Sequence, residues 1–148
     1  TVVTTTFNIA TLLKCNSNIS VILIGGLLRG PGESMVGELA EAMLDRLHVP
    51  KAFIGAAGVT AENGIMYANP LEAQIRRKIV QRSRTVVLVA DHSKFGRPAL
   101  VSVCPLTQVH HVITGHGILP EFYTLMVSNG IKVTMVGHDS PSSLEDQP

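Results

Sequence analysis

The sequence predicts an α/β fold: a three-layer, Rossmann-like, mostly parallel sheet with helices on both faces. Short runs rich in β-branched residues recur, and they are continuously apolar, as in parallel strands covered on both faces. Helical patterns separate these runs, so strand and helix alternate. Right-handed crossovers then place helices on both sides of the sheet. A length of 148 residues and 45% apolar content suit one domain with a real core.

The predicted strands are TVVTTT at 1–6, VILIG at 21–25, AFIGA at 52–56, TVVLVA at 85–90, HVIT at 111–114 and KVTMVG at 132–137. A short helix at 7–14 follows the first strand. The second helix, at 34–47, has its apolar residues at the spacing of one helix face. The third, at 69–83, opens with Asn69 as N-cap, Pro70 in the first turn and Glu72 placed to complete a capping box. The fourth, at 119–128, ends at Asn129-Gly130, a good helix stop.

Composition and charge argue against several functional classes. The net charge of +1 is low for a domain that itself binds nucleic acid. Cys15 and Cys104 have no metal-type spacing, which favours a reduced, cytoplasmic protein without a metal site. The sequence contains no apolar run of about 18 residues, so we expect no membrane span.

The chain is expected to be part of something longer, because it begins inside an apolar run without an initiator methionine. We expect residues 1–137 to form one ligand-binding domain that lacks an N-terminal strand. Residues 138–148 are polar and contain two prolines, which is typical of a poorly ordered tail.

The residues that follow the predicted strands suit an anionic ligand. In an open parallel sheet, ligands bind beyond the carboxyl ends of the strands. Hydroxyl groups, glycines and a few cations gather there, and acids are almost absent; the candidates are Thr5, Thr6, Gly25, Gly26, Arg29, Gly55, Gly58, Asp91 and Lys94. Hydroxyls and close backbone N–H groups are the usual ligands of phosphate. The pattern therefore indicates a small phosphorylated ligand.

Each feature also has a plainer explanation. Glycines after strands form turns, threonines favour strands, and a lone lysine is usually a surface residue. The basic residues of the third helix and the strand after it are expected to form a solvated face or, less favoured, an oligomer contact; they are Arg76, Arg77, Lys78, Arg82 and Arg84. The histidines show no metal-binding motif, and no cofactor is expected.

Two long motifs carry a family resemblance. They are FIGAAG at 53–58 and EAxxRRKxxxxSRxxxxxADxSKFG from Glu72, and the stretches VILIGG, SMVGELAEAMLDRL and VHHVIT accompany them in order. Over roughly residues 1 to 136 the chain resembles the C-terminal effector domain of DeoR-type bacterial transcriptional regulators. The resemblance implies a fold similar to ribose-5-phosphate isomerase and a phosphorylated sugar as effector. It also implies oligomers, and operator DNA bound by an N-terminal helix-turn-helix that this chain does not contain.

The resemblance also assigns site residues. By position, the family's ligand loops correspond to Thr5 and Thr6, Gly25 and Gly26, Gly55 and Gly58, Glu72, and the D-x-S-K pair Asp91 and Lys94. The chain departs from the family pattern at Thr6, where asparagine is common, and at Gly115, where an acid is frequent. The family's early phosphate loop, with its central strand, precedes Thr1.

Two other functions stay open at this point. An isomerase of the same fold needs a base positioned next to the substrate, and Glu72 or Asp91 are the candidates. The stretch Gly55-Ala56-Ala57-Gly58 has no acid where the isomerases carry one, which favours a sensor without catalytic residues. A third possibility is a purely structural oligomerisation domain, since sparse charge allows a large interface.

Overall fold

The computed structural model describes residues 1–30 and 34–137, so the predicted tail at 138–148 lies outside the described residues. Four helices are present in this part of the chain, α1 Phe7–Leu13, α2 Glu38–Leu44, α3 Pro70–Gln81 and α4 Pro120–Ser128. The strands are β1 Val2–Thr4, β2 Val21–Leu23, β3 Leu27–Arg29, β4 Ser34–Val36, β5 Val49–Ile54, β6 Gly58–Thr60, β7 Gly64–Tyr67, β8 Ser83–Val89, β9 Val101–Cys104, β10 His111–Gly115 and β11 Lys132–Val136.

Parallel strands form the framework, which confirms the predicted fold class. Four of them pair in the order β11-β10-β8-β5, and β1 pairs with β2 in a separate parallel unit. Within the described residues β1 pairs only with β2, and β5 pairs only with β8. Each therefore keeps one edge whose backbone groups have no strand partner.

The β1-β2 unit and the four-stranded sheet are each built by helical crossovers. The crossover from β1 to β2 and the one from β5 to β8 lead away from each other. Helix α1 connects β1 to β2, and α3 lies in the connection from β5 to β8. Because such crossovers are right-handed, connections that lead in opposite directions place their helices on opposite faces. The point between β1 and β5 is therefore a topological switch point, which is where ligands bind in open α/β sheets.

Two small antiparallel sheets were not predicted. Strands β3 and β4 form a hairpin, and β6, β7 and β9 form a three-stranded sheet. The predicted helix at 34–47 was wrong at its start, because Ser34–Val36 is a strand and the helix begins only at Glu38. Gly37, with φ of 90°, separates the two elements. The apolar pair at 35 and 36 fits either pattern, and its pairing with the nearby strand β3 decides between them.

The core has a large and a small cluster. The large cluster packs one face of the four-stranded sheet against α3, α4 and the β6-β7-β9 sheet, with an edge-to-face contact between Phe95 and Phe122. The small cluster joins β2, β4, α2 and α3 through Ile24, Val36, Ala40, Leu44 and Ile75. The opposite face of the four-stranded sheet leaves Phe53 and Val89 exposed.

The helix ends follow the sequence signals. The Asn69 side chain accepts hydrogen bonds from the backbone N–H groups of Leu71 (2.9 Å) and Glu72 (3.3 Å), which confirms it as the N-cap of α3. Beyond α4, Gly130 has a φ of 73° and Ile131 N–H bonds to the carbonyl of Met126 (3.0 Å), as expected for the predicted stop. In the described part of the chain, no helix is long and apolar enough to cross a bilayer.

Replacement of the N-cap, Asn69→Ala, should lower the free energy of unfolding by about 1 kcal/mol, because two N–H groups of α3 lose their acceptor. Urea unfolding followed by circular dichroism measures this change. Glu72→Gln is the matched control, since no capping-box bond from Glu72 is recorded among the described residues and only its interaction with the helix dipole is lost. Equal losses in both variants would contradict the assignment of Asn69 as the dominant cap.

Candidate ligand-binding site

The carboxyl ends of β1 and β5 lie at the same edge of the structure. Helices α2 and α3 run in the same direction, as two hydrogen-bonded pairs show, Gln74 with Glu41 and Lys78 with Asp45. The start of α3 lies at the carboxyl end of β5, because α3 leads back to the start of the parallel strand β8. Strand β4, which precedes α2, bonds through Met35 N–H to the carbonyl of Thr5 (2.7 Å). The residues that follow β1 and β5 are therefore neighbours.

A cavity of about 620 Å³ lies between β1 and β5, at the switch point. We call it the switch-point cavity. Thr4, Thr5, Thr6, Gly55 and Arg76 line its carboxyl end, and Val49, Lys51 and Arg82 line its amino end. Among residues 1–30 and 34–137, no acidic residue lines it, whereas three basic residues do. Its polar lining therefore suits an anionic ligand.

The threonine loop after β1 is fixed by its own hydrogen bonds. The Thr4 hydroxyl accepts from the N–H of Thr6 (3.1 Å), and the Thr5 carbonyl accepts from Met35. Thr4 and Thr5 are buried, and Thr6 pairs with Ser34 as an isolated antiparallel bridge. The loop is thus held rigidly beside the cavity, as a binding loop needs to be.

Arg76 enters the same end of the cavity from α3. Its guanidinium carbon lies 4.8 Å from the centre of the Tyr67 ring, within the range of a cation–π contact. The Tyr67 hydroxyl lies 3.5 Å from the point where a Cβ on Gly55 would stand. Arg76 Nη1 is buried and has no hydrogen-bond partner among the described residues. Sequence reasoning missed both Arg76 and Tyr67 as site residues.

The other basic residues of α3 are engaged in structural contacts. Arg77 donates to the carbonyl of Ser102 in β9 (Nε, 3.0 Å). Lys78 and Arg82 both bind the Asp45 carboxylate, at 2.7 and 2.8 Å. The predicted solvated face is therefore only partly correct: Arg84 is exposed, whereas Arg77, Lys78 and Arg82 also tie α3 to its neighbours.

The D-x-S-K turn follows β8. Asp91 caps a 3₁₀ turn, His92–Lys94, and accepts hydrogen bonds from the Ser93 hydroxyl and the Ser93 N–H (2.9 Å). The hydroxyl bond in particular holds the pKa of Asp91 below its usual value, so this carboxylate stays ionised. Lys94 is half-buried and forms no ion pair in the described part of the chain. A contact with a ligand remains a prediction for both residues.

The loop after this turn is anchored to the core. Gly96, with φ of 79°, donates its N–H to the carbonyl of Val59 (2.8 Å), and Phe95 is buried. A Cβ added to Gly115 would lie 3.2 Å from the His92 ring, and one added to Gly117 would lie 2.9 Å from it. The ends of β8 and β10 therefore meet at this turn.

Among the predicted site residues, Thr5, Thr6 and Gly55 line the switch-point cavity, and the others do not. Asp91 follows β8, the neighbour of β5, so it lies at the same edge. Arg29 is exposed in β3, and Glu72 is half-buried in the first turn of α3.

The remaining predicted glycines lie at close contacts with the protein's own backbone or side chains. The N–H of Gly25 faces the sulfur of Met43 (3.2 Å). A Cβ on Gly26 would meet the carbonyl oxygen of Val36 at 2.8 Å, and one on Gly58 would overlap the carbonyl of Arg97. For Gly26 and Gly58, therefore, close packing is sufficient to require glycine.

Two kinds of chemistry find little support in the described residues. Residues 1–30 and 34–137 contain no group of three His, Cys, Asp or Glu residues that could hold a metal ion. Cys104 is buried, and burial raises its pKa to about 11, so its thiol is a poor nucleophile.

Comparisons with known proteins agree with the family resemblance of the sequence. A family model described as "DeoR C terminal sensor domain" matches residues 1–116. The HTH-type transcriptional regulator IolR of Bacillus subtilis is 33% identical over 122 residues, covering 82% of this chain and 49% of IolR. The HTH-type transcriptional repressor GlcR of the same species is 30% identical over 139 residues, covering 94% of this chain and 54% of GlcR.

A third relative is the glycerol-3-phosphate regulon repressor of Escherichia coli, which is 31% identical over 113 residues, covering 76% of this chain and 45% of the repressor. The chain thus spans about half the length of the curated relatives it matches.

Gly58→Ala should lower the free energy of unfolding by about 3 kcal/mol, because the added methyl group overlaps a backbone carbonyl that cannot move freely. The measurement is the urea midpoint at constant slope. Gly25→Ala is the control, since its Cβ would meet only the Met43 sulfur at 3.5 Å, an ordinary contact. A normal midpoint for Gly58→Ala would remove the packing explanation for this glycine and favour a ligand contact.

Proposed function

Since this chain belongs to the DeoR family, as a C-terminal sensor domain, we propose that it binds a small phosphorylated sugar or polyol and thereby controls transcription. The observation that carries the proposal is the switch-point cavity, which hydroxyls, a glycine and a guanidinium line at the carboxyl ends of β1 and β5. In open α/β sheets this is the position where ligands bind. In the described part of the chain no acidic side chain lines this cavity, which favours an anion.

The chemical class of the ligand follows from the groups around the cavity. The hydroxyls of Thr5 and Thr6 suit phosphate oxygens. Beyond Gly55, Asp91 accepts hydrogen bonds from sugar hydroxyls, and Lys94 donates to them. The name of one relative, a glycerol-3-phosphate regulon repressor, supports a phosphorylated polyol or sugar as the class.

Binding without turnover is the better match to the chemistry. Proton abstraction next to a carbonyl needs a base whose pKa lies near the working pH. Asp91, with its pKa lowered by the Ser93 hydroxyl, is a weak base. Since Asp91 is a weak base and Glu72 is not part of the cavity lining, we propose a sensor rather than an isomerase.

In the intact regulator we propose that a further strand fills part of the cavity. The resemblance to the family places a central strand and a phosphate loop ahead of Thr1. The free edges of β1 and β5 both face the cavity, so such a strand would find backbone partners on both sides. Its loop would then emerge at the carboxyl end, beside the Thr5–Thr6 loop, and add N–H donors for phosphate.

The proposed mechanism is a shift between two states of a cytoplasmic homo-oligomer. The predicted ordering of residues 26–34 includes 31–33, which lie outside the described residues. We propose that the effector contacts the Thr5–Thr6 loop and the turn at 91–94. This contact changes how the subunits present DNA-binding domains that precede this segment. A ligand shifts such an equilibrium only if it binds one state better than the other. Operator DNA is therefore a partner through another part of the protein, and no cofactor is involved.

A panel of sugar and polyol monophosphates, each paired with its unphosphorylated form, tests the proposal by thermal shift on the intact regulator. At least one phosphorylated member should raise the melting temperature, because a ligand at 100 times its Kd stabilises the native state by about 2.7 kcal/mol. The unphosphorylated partner should have little effect. If every phosphorylated compound leaves the melting temperature unchanged, the sensor proposal fails. Steady isomerisation of ribose 5-phosphate would favour the enzyme instead.

Lys94→Ala should weaken binding of the best phosphorylated compound about tenfold or more, because a charge-assisted hydrogen bond is lost. Isothermal titration calorimetry measures the affinity. Lys14→Ala, which removes an exposed lysine after α1, is the control and should leave the affinity unchanged. Equal affinities in the two variants would exclude Lys94 from the site.

A further inference from the structure

Arg76 differs from the other basic residues of α3 in having no anion or carbonyl to bind. Arg77 bonds to a backbone carbonyl, and Lys78 and Arg82 share one carboxylate. No hydrogen bond is recorded for the Arg76 guanidinium within the described residues, although its Nη1 is shielded from solvent. A buried charged donor without an acceptor is costly, so it is a place where a partner is expected.

The setting of the guanidinium restricts what that partner can be. Its carbon lies 4.8 Å from the centre of the Tyr67 ring, a cation–π contact that restrains the group from one side. The cavity that it lines has hydroxyls from Thr5 and Thr6 and, among the described residues, no acidic side chain. A guanidinium edge beside hydroxyls matches the oxygens of a phosphate monoester, which accept two parallel N–H bonds.

We propose that Arg76 is the phosphate-binding residue of the switch-point cavity, opposite the Thr5–Thr6 loop. This inference rests on the proposed function and adds the orientation of the ligand in the site. Gly55 lies between the two groups of polar residues, since Tyr67 beside Arg76 touches it and Asp91 follows the neighbouring strand β8. The ligand therefore lies across Gly55, with its phosphate at Arg76 and its hydroxyl groups toward Asp91.

Electrostatics support this orientation. An ionised carboxylate repels a phosphate, so the phosphate avoids the Asp91 side of the site. The lowered pKa of Asp91 keeps that carboxylate ionised throughout the neutral pH range. At the Arg76 side the cavity contributes only neutral or positive groups.

The test uses Arg76→Met in the intact regulator, because methionine keeps an unbranched stem over Tyr67 and removes the guanidinium. The probes are glycerol 3-phosphate, ribose 5-phosphate, fructose 6-phosphate and inorganic phosphate, titrated by calorimetry. Affinity for the probe that binds the wild type best should fall about 10- to 100-fold. Arg76→Lys keeps the charge but loses the pair of parallel N–H donors, so it should give an intermediate loss of affinity.

Arg84→Met is the matched control. It makes the same substitution at an exposed arginine of β8 that is not part of the cavity lining. Its affinity should change less than twofold. A similar loss in Arg84→Met and Arg76→Met would overturn the proposal, because the effect would then be the general charge of the domain.

A second readout separates binding from a structural role. If the Arg76 guanidinium has no hydrogen-bond partner until a phosphate binds, Arg76→Met should leave the ligand-free melting temperature unchanged or raise it. The reason is that the substitution removes an unpaired buried donor. If Arg76 instead bonds to protein groups of the intact regulator, this melting temperature falls while the affinities stay at wild-type values, and the proposal is overturned. Wild-type protein that binds none of the probes would refute the proposed function itself, whereas wild-type binding with unchanged Arg76→Met affinity refutes only this inference.

Discussion

The small apolar cluster between the two parallel units is the constraint on which the site depends. Ile75 of α3 packs against Ile24 after β2 and Val36 of β4, and all three are fully buried. This contact, with the pairing of α2 and α3 through Asp45, fixes the β1-β2 unit relative to the four-stranded sheet. The width of the switch-point cavity is therefore set by side chains that do not touch a ligand. A rigid supporting shell of this kind is what an accurate binding site requires.

The basic residues of helix α3 have two roles: some tie the helix to neighbouring elements, and Arg76 lines the cavity. Successive positions on a helix point about 100° apart, so Arg76, Arg77 and Lys78 reach three different neighbours. Arg77 holds β9, Lys78 holds α2, and Arg76 faces the cavity. The surface ion pairs of Asp45 contribute little to stability individually, but they orient α3 and hence the guanidinium of Arg76.

Hydrogen bonds within the protein hold both loops of the candidate site in place. The threonine loop is hydrogen-bonded to itself and to β4, and the D-x-S-K turn is anchored through Gly96 to Val59. Asp91 is engaged by Ser93, and the Cys104 thiol is held neutral by burial. These features favour recognition of polar groups over proton transfer, which agrees with the naming of the relatives as transcriptional regulators.

The sequence by itself determined the local features. Apolar runs identified six parallel strands, and the Asn69 cap and Gly130 stop marked helix ends correctly, because these depend on neighbouring residues only. It also indicated that polar groups gather after the strands. Tertiary structure alone decided that β9 joins β7 in one sheet, since this pairing joins distant segments. It also decided that Arg76, one of several similar basic residues, lines the carboxyl end of the cavity. Which neighbour a side chain meets depends on how the helices pack, and no local pattern encodes that packing.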